Sequence, residues 1–113
     1  MKANIPQELE DFINEKIYLD LEIHILTKRL NQSTIDQNEK LIIYFEKRLD
    51  GKFKELKKVN DQLRKENVKI SKPVSDDIFA QYDISLKTNG GYKEGNLRYW
   101  KDAIKYKLNK RLN

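Results

Sequence analysis

A chain of 113 residues with 38% hydrophobic and 36% charged side chains has room for one domain and too little apolar material to enclose a wide core. With no cysteine it can form no disulfide, thiolate zinc site or cysteine nucleophile, and no run of about 18 apolar residues offers a membrane span. The net charge of +5 is local: residues 1–92 hold equal numbers of basic and acidic side chains, whereas 93–113 hold seven basic and two acidic ones, which points to an anionic partner for that end.

The first residues, Met1 to Glu8, are polar and lack the apolar core of a signal peptide, so a cytoplasmic protein is expected. A first helix is predicted from Pro6 to Asn31. Pro6 suits a first turn, and Glu8, Glu10 and Asp11 complement the dipole there. Ile5, Leu9, Phe12, Leu19, Ile23, Leu26 and Leu30 recur in a four-three rhythm broken only at Lys16, which is a heptad stripe. Beside it runs a second stripe, Ile13, Ile17, Leu21 and Ile25, each four apart. The alternation Ile17, Leu19, Leu21, Ile23, Ile25 would also suit a strand, but the heptad rhythm extends past it on both sides.

Asn31 to Thr34 reads as a turn, with Ser33 or Thr34 capping a second helix from Ile35 to Asn67. Ile35, Ile42, Leu49, Leu56, Leu63 and Ile70 recur every seven residues. The run Leu41-Ile42-Ile43-Tyr44-Phe45 is apolar on every side and is expected to be buried on several faces. The short turn makes an antiparallel, coiled-coil-like hairpin the natural packing.

Residues 68–75 read as an extended connector, because Pro73 stops helix continuation. Ser75 or Asp76 would cap a third helix over 76–87, stopped by Asn89-Gly90. The alternative is a β-hairpin over 82–96, since Tyr82, Ile84 and Leu86 alternate and Asn-Gly marks tight turns. Asn96 would cap a fourth helix from Leu97 to Leu112, with Leu97, Trp100, Ile104, Leu108 and Leu112 inward. The expected fold is therefore all-α: a helical hairpin over 1–70 and a basic helical part over 71–113 packed on it.

Little in the chain carries chemistry. His24 is the single histidine, without a second histidine or a cysteine to complete a relay or a metal shell. The carboxylates sit among lysines, the pattern of solvated helix faces, and Asp76-Asp77 reads as capping. The loop Gly90 to Asn96 matches no nucleotide-binding fingerprint. If it held a phosphate, Lys93 and the amides of Gly95 to Leu97 would do so. No catalytic residue, cofactor or metal site is expected, and the chain reads as a non-enzyme.

The predicted fourth helix is more informative. At about 100° per residue, Tyr99 and Tyr106 fall opposite the apolar stripe with Lys110 close by, and Arg98 and Lys105 lie between. Lys93, Arg98, Tyr99, Lys101, Lys105, Tyr106, Lys110 and Arg111 are the candidate contacts to nucleic acid, where cations neutralise phosphates and tyrosines stack, or to a protein, where Tyr and Arg anchor interfaces. A structural role for these tyrosines and lysines is the third reading. The face Ile13, Ile17, Leu21, Ile25 needs a cover: the C-terminal helices, a second copy or another protein. The expectation is a small regulatory protein whose hairpin docks a protein partner while its basic end touches nucleic acid. The rival is an inhibitor, adaptor or immunity-type protein acting by occlusion. Heavy use of Lys, Ile and Asn suits an AT-rich phage or plasmid source.

Overall fold

The computed structural model describes residues 5–113. Two long helices, α1 (Gln7–Ile35) and α2 (Glu39–Lys65), form a hairpin. They are followed by strands β1 (Val68–Ile70), β2 (Val74–Ser75), β3 (Phe79–Thr88) and β4 (Gly91–Trp100), and by a last helix, α3 (Lys101–Leu112). The all-α expectation is overturned: a four-stranded antiparallel sheet stands where a third helix and the start of a fourth were predicted. The molecule is elongated, 55 × 32 × 20 Å.

The helical hairpin turns later than its composition suggested. Ser33 and Thr34 do not cap α2. Their hydroxyls donate back to the carbonyls of Arg29 and Leu30, at 2.8 and 3.0 Å, as such residues do inside a helix. The turn is Asp36-Gln37-Asn38. Gln37 takes φ 55, and the Asn38 side chain caps α2 by accepting from the Leu41 N–H at 3.2 Å. At the other end Asn67, with φ 57, turns the chain from α2 into β1. Asn tolerates the left-handed region better than most residues.

The sheet is built around β3 because residues 79–88 follow a period of two more closely than a period of 3.6. Ala80, Tyr82 and Ile84 are buried along β3, while the intervening Gln81, Asp83 and Ser85 face away. Asn89-Gly90 joins β3 to β4, in continuous register from Thr88↔Gly91 to Phe79↔Trp100. On its other side β3 pairs with β1 and then β2. Local helical propensity at 76–87 loses to a ladder of ten cross-strand pairs and to the burial it permits.

One core cluster joins all layers. It contains Ile13, Ile17 and Tyr18 of α1, Leu63 of α2, Ala80, Tyr82 and Ile84 of β3, and Ile104 and Leu108 of α3. A second holds Leu26, Phe45, Leu49 and Leu112. The stripe read as a docking or dimer face thus meets the chain's own sheet and α3: Ile13 and Ile17 are buried, and Leu21 and Ile25 are half-buried. The run Leu41 to Phe45 departs from expectation in the other direction. Only Phe45 is buried, and Leu41, Ile43 and Tyr44 are exposed, because α1 covers one side of α2 at the tip.

Charge sits inside this fold. Glu22 on α1 is completely buried. Its Oε1 accepts from Arg111 Nε of α3 at 2.5 Å, and Lys52 Nζ of α2 lies 2.8 Å from its Oε2. Among the described residues Oε2 has no well-aligned hydrogen bond, so Lys52 answers it as an ion pair. Arg111 also donates both terminal nitrogens to Glu15, at 2.9 and 2.8 Å. Arg48 of α2 donates to the Leu112 carbonyl at 2.8 Å. These contacts tie the end of α3 to both long helices.

Candidate nucleic-acid interface

The strand pattern decides what the sheet shows to solvent. Ala80, Tyr82 and Ile84 point to the helices, so Phe79, Gln81, Asp83, Ser85 and Lys87 of β3 point outward. Cross-strand pairing places Trp100, Arg98, Asn96, Glu94 and Tyr92 beside them in that order. Lys69 of β1 lies next to Ser85, and Val74 of β2 next to Gln81. The long helices and α3 pack on the opposite face.

This face, which no described residue covers, carries aromatic rings and cations at both ends. At one end Phe79 pairs with Trp100, and the Arg98 guanidinium lies 4.0 Å from the Phe79 ring centroid. That cation–π contact presents a flat, charged platform. Trp100, the chain's single tryptophan, is 56% exposed. At the other end exposed Tyr92 sits opposite Lys87, about 27 Å away along β4 at strand rise. Between them is an open hollow of about 520 Å³ lined by Lys69, Ser71, Asp83, Ser85, Glu94 and Asn96. Rings that stack on bases and cations that meet phosphates are the groups a single strand requires.

The eight residues expected as one contact stripe are dispersed. Arg98 is on the outer sheet face. Lys93 is exposed on β4 but alternates to the other side. Lys101, half-buried, and Lys105, exposed, follow Trp100 on α3. Tyr106 and Lys110 form an exposed pair, with Lys110 Nζ 4.6 Å from the ring centroid. Tyr99 and Arg111 belong to the interior. The Tyr99 hydroxyl bonds the Asn14 side chain of α1, and its ring meets Tyr82 edge-on at 5.8 Å. Burial, and then the nearby Tyr18, hold its phenol well above the usual tyrosine value. Arg111 is committed to Glu15 and Glu22, and the Glu15 bonds hold its charged form. The outward tyrosine pair does not exist, because Tyr99 lies on a strand and not on a helix.

Phe79, Tyr92, Trp100, Lys69 and Lys87 were missed. Period-two reading of 79–100 would have found the first three, since Tyr92, Glu94, Asn96, Arg98 and Trp100 alternate onto one face.

Other candidates for chemistry have ordinary roles. Asp76 does not cap a helix. Its carboxylate accepts from the Ile78 and Phe79 N–H groups at 2.8 and 2.7 Å, shaping the turn into β3. Those bonds, Phe79's first, lower its pKa. The Gly90 to Asn96 segment is a hairpin turn and strand, so the amides of Gly95 to Leu97 stand at no helix start. His24 is exposed. No group of three or more His, Cys, Asp or Glu able to hold a metal ion occurs among the described residues, and no helix among them is long and apolar enough to cross a membrane.

No protein-family model matches the chain, and neither a curated protein nor a solved structure matches it.

Proposed function

We propose that this chain is a non-catalytic accessory protein of the cytoplasm that binds single-stranded nucleic acid on the outer face of its sheet. The observation that carries the reading is the placement of Phe79, Tyr92 and Trp100 on one uncovered face with Arg98, Lys69 and Lys87. Trp100 and Tyr92 stack on bases at the two ends. Arg98 beside Trp100, Lys87 beside Tyr92 and Lys69 between the two ends meet phosphates, and Lys101 and Lys105 extend the positive track past Trp100. The excess charge of residues 93–113 steers the encounter.

Trp100 provides the test. Titrating short single-stranded DNA and RNA should quench its emission as bases stack. Five phosphate contacts give a slope of about −3.5 in log affinity against log salt, or roughly a hundredfold loss between about 50 and 200 mM. Trp100→Ala, read by anisotropy of labelled strands, should weaken binding about tenfold or more, and Arg98→Glu should flatten the salt slope. Unchanged emission together with no salt-dependent anisotropy would refute the proposal.

A second reading, protein docking by occlusion, has its own observation. Ile35, Leu41 and Ile43 are exposed around the tip of the helical hairpin, beside the half-exposed Tyr44 whose hydroxyl accepts from Arg48, and such a patch of apolar side chains on a charge-rich chain marks a contact surface. If this tip docks a protein, Ile43→Glu with Ile35→Ser, both largely exposed, leaves the melting temperature nearly unchanged and removes the partner. A partner retained by that variant would sink this second reading.

A further inference from the structure

Strand β4 is the open edge of the sheet. Among the described residues it pairs over Gly91–Trp100 with β3 alone, and β1 and β2 lie on the far side of β3. The hydrogen bonds show which of its backbone groups are free. Lys87 N–H donates to Asn67 O at 3.1 Å, Ser71 N–H to Asp83 O at 2.9 Å, and Asp76 N–H to Phe79 O at 3.0 Å. Odd-numbered residues of β3 therefore face β1 and β2, and even-numbered ones face β4. Their partners on β4 are odd-numbered. The N–H and C=O groups of Tyr92, Glu94, Asn96 and Arg98 consequently point out of the sheet.

A long free edge usually carries a proline, a bulge or a blocking charge. This one has no proline, its register to β3 runs without a break, and its one charge on the helix side, Lys93, is exposed near the turn end of the strand. Its outward side chains carry charge of both signs, spaced for an answering strand.

We infer that β4 pairs with β4 of a second copy, antiparallel, about a two-fold axis through Asn96. In that register Glu94 faces Arg98 of the second copy, Tyr92 faces its Trp100, and Asn96 faces itself, each contact made twice as a closed two-fold interface requires. All are even-numbered, so they fall on the free backbone groups. The neighbouring registers are worse. Centring on Glu94 or on Arg98 sets like charges opposite, which destabilises a strand pair. Centring on Gly95 or Leu97 leaves both charges unanswered. The product is a continuous eight-stranded sheet built from two four-stranded ones, with both outer faces on the same side. The inference holds whether or not nucleic acid binds that face.

The test is sedimentation equilibrium of the full chain from about 1 to 200 μM, with circular dichroism to confirm folding of every variant. The unaltered chain should dimerise. Glu94→Arg alone and Arg98→Glu alone should each weaken the dimer about tenfold or more, because each sets like charges opposite at both symmetric positions. Mixing those two variants should restore a dimer containing one of each, since every pair across the interface is then opposite in sign. Asn96→Pro should leave a folded monomer, as it removes an edge N–H and none of the β3 ladder. A chain that stays monomeric throughout, or a dimer indifferent to the charge variants and to Asn96→Pro, overturns the inference. The latter result would assign association to another surface. Trp100 quenching, measured separately, reports on the nucleic-acid reading, so the two can fail independently.

Discussion

Arg111→Ala separates an interior role for this residue from a contact role. Glu22 is wholly buried, and Arg111 is one of two cations answering it, at 2.5 Å beside Lys52 at 2.8 Å. Stripping one partner from a buried ion pair costs about 3–5 kcal/mol. Lys52 remains, and the Arg111 side chain is 27% exposed, which places the loss at the low end, about 3 kcal/mol. The paired bonds to Glu15, whose side chain is 41% exposed, add under about 1 kcal/mol after solvent screening. With an unfolding entropy near 2.1 cal/mol/K per residue, 113 residues convert about 3 kcal/mol into roughly 12 °C of melting temperature. Differential scanning calorimetry at neutral pH measures it, with the exposed Lys110→Ala as the control. Replacing Glu22, Lys52 and Arg111 together by Leu, Met and Met should recover most of the loss, because no buried charge is left unanswered. An Arg111→Ala chain that melts within about 2 °C of Lys110→Ala would mean that Glu22 is not held as described.

Three further outcomes follow from local geometry. Tyr99→Phe removes the bond to Asn14 and should cost about 1 kcal/mol in urea unfolding. The burial that raises the Tyr99 pKa makes its contribution complete below the ordinary value of 10 and lost as pH rises through the higher folded value, so the gap between the two chains should close in strong alkali. The Glu15 carboxyl is held below its ordinary 4.5 by Arg111's hydrogen bond. Its contribution is complete above that value and lost as pH falls through the lower folded one, so Glu15→Gln should converge with the unaltered chain in an acid melting series. Gln37→Gly relieves a φ of 55 on a residue with a Cβ and should stabilise by about 1 kcal/mol, measured as a rise in urea midpoint. A fall would show that the Gln37 side chain contributes to the turn.

The helical hairpin was legible because heptads are local: Leu9, Leu19 and Leu26 announce a buried seam through spacing alone. The sheet was not, because its stabilising pairs join residues far apart. Val68 meets Leu86, and Ala80 meets Tyr99. Leu97 and Trp100 fit a helical stripe with Ile104 and Leu108, and only cross-strand pairing reveals that they occupy opposite faces of β4. The Asn89-Gly90 turn and the Tyr82–Leu86 alternation were visible signals for the hairpin, but the strands reach three residues further toward Phe79 and four further toward Trp100 than that signal covered. The Arg111–Glu22 pair spans 89 positions, and nothing about an isolated Glu among isoleucines names its partner. The candidate face inherits the same blindness: its residues are adjacent only once the strands are paired.

The anchoring of α3 between α1 and α2 also has a kinetic consequence. The hairpin's own contacts can form as soon as both helices exist, yet Ile13 and Ile17 complete their burial only when β3 and α3 arrive from some 65 to 95 positions downstream. Closing such loops is slow compared with forming a helix turn. The chain should therefore pass through a state in which a helical hairpin exists with one apolar flank open. Substitutions along that flank, at Ile13 and Ile17, would act on the late, rate-limiting docking of the sheet, whereas those at Leu26 and Leu49 would act on the early meeting of the two helices.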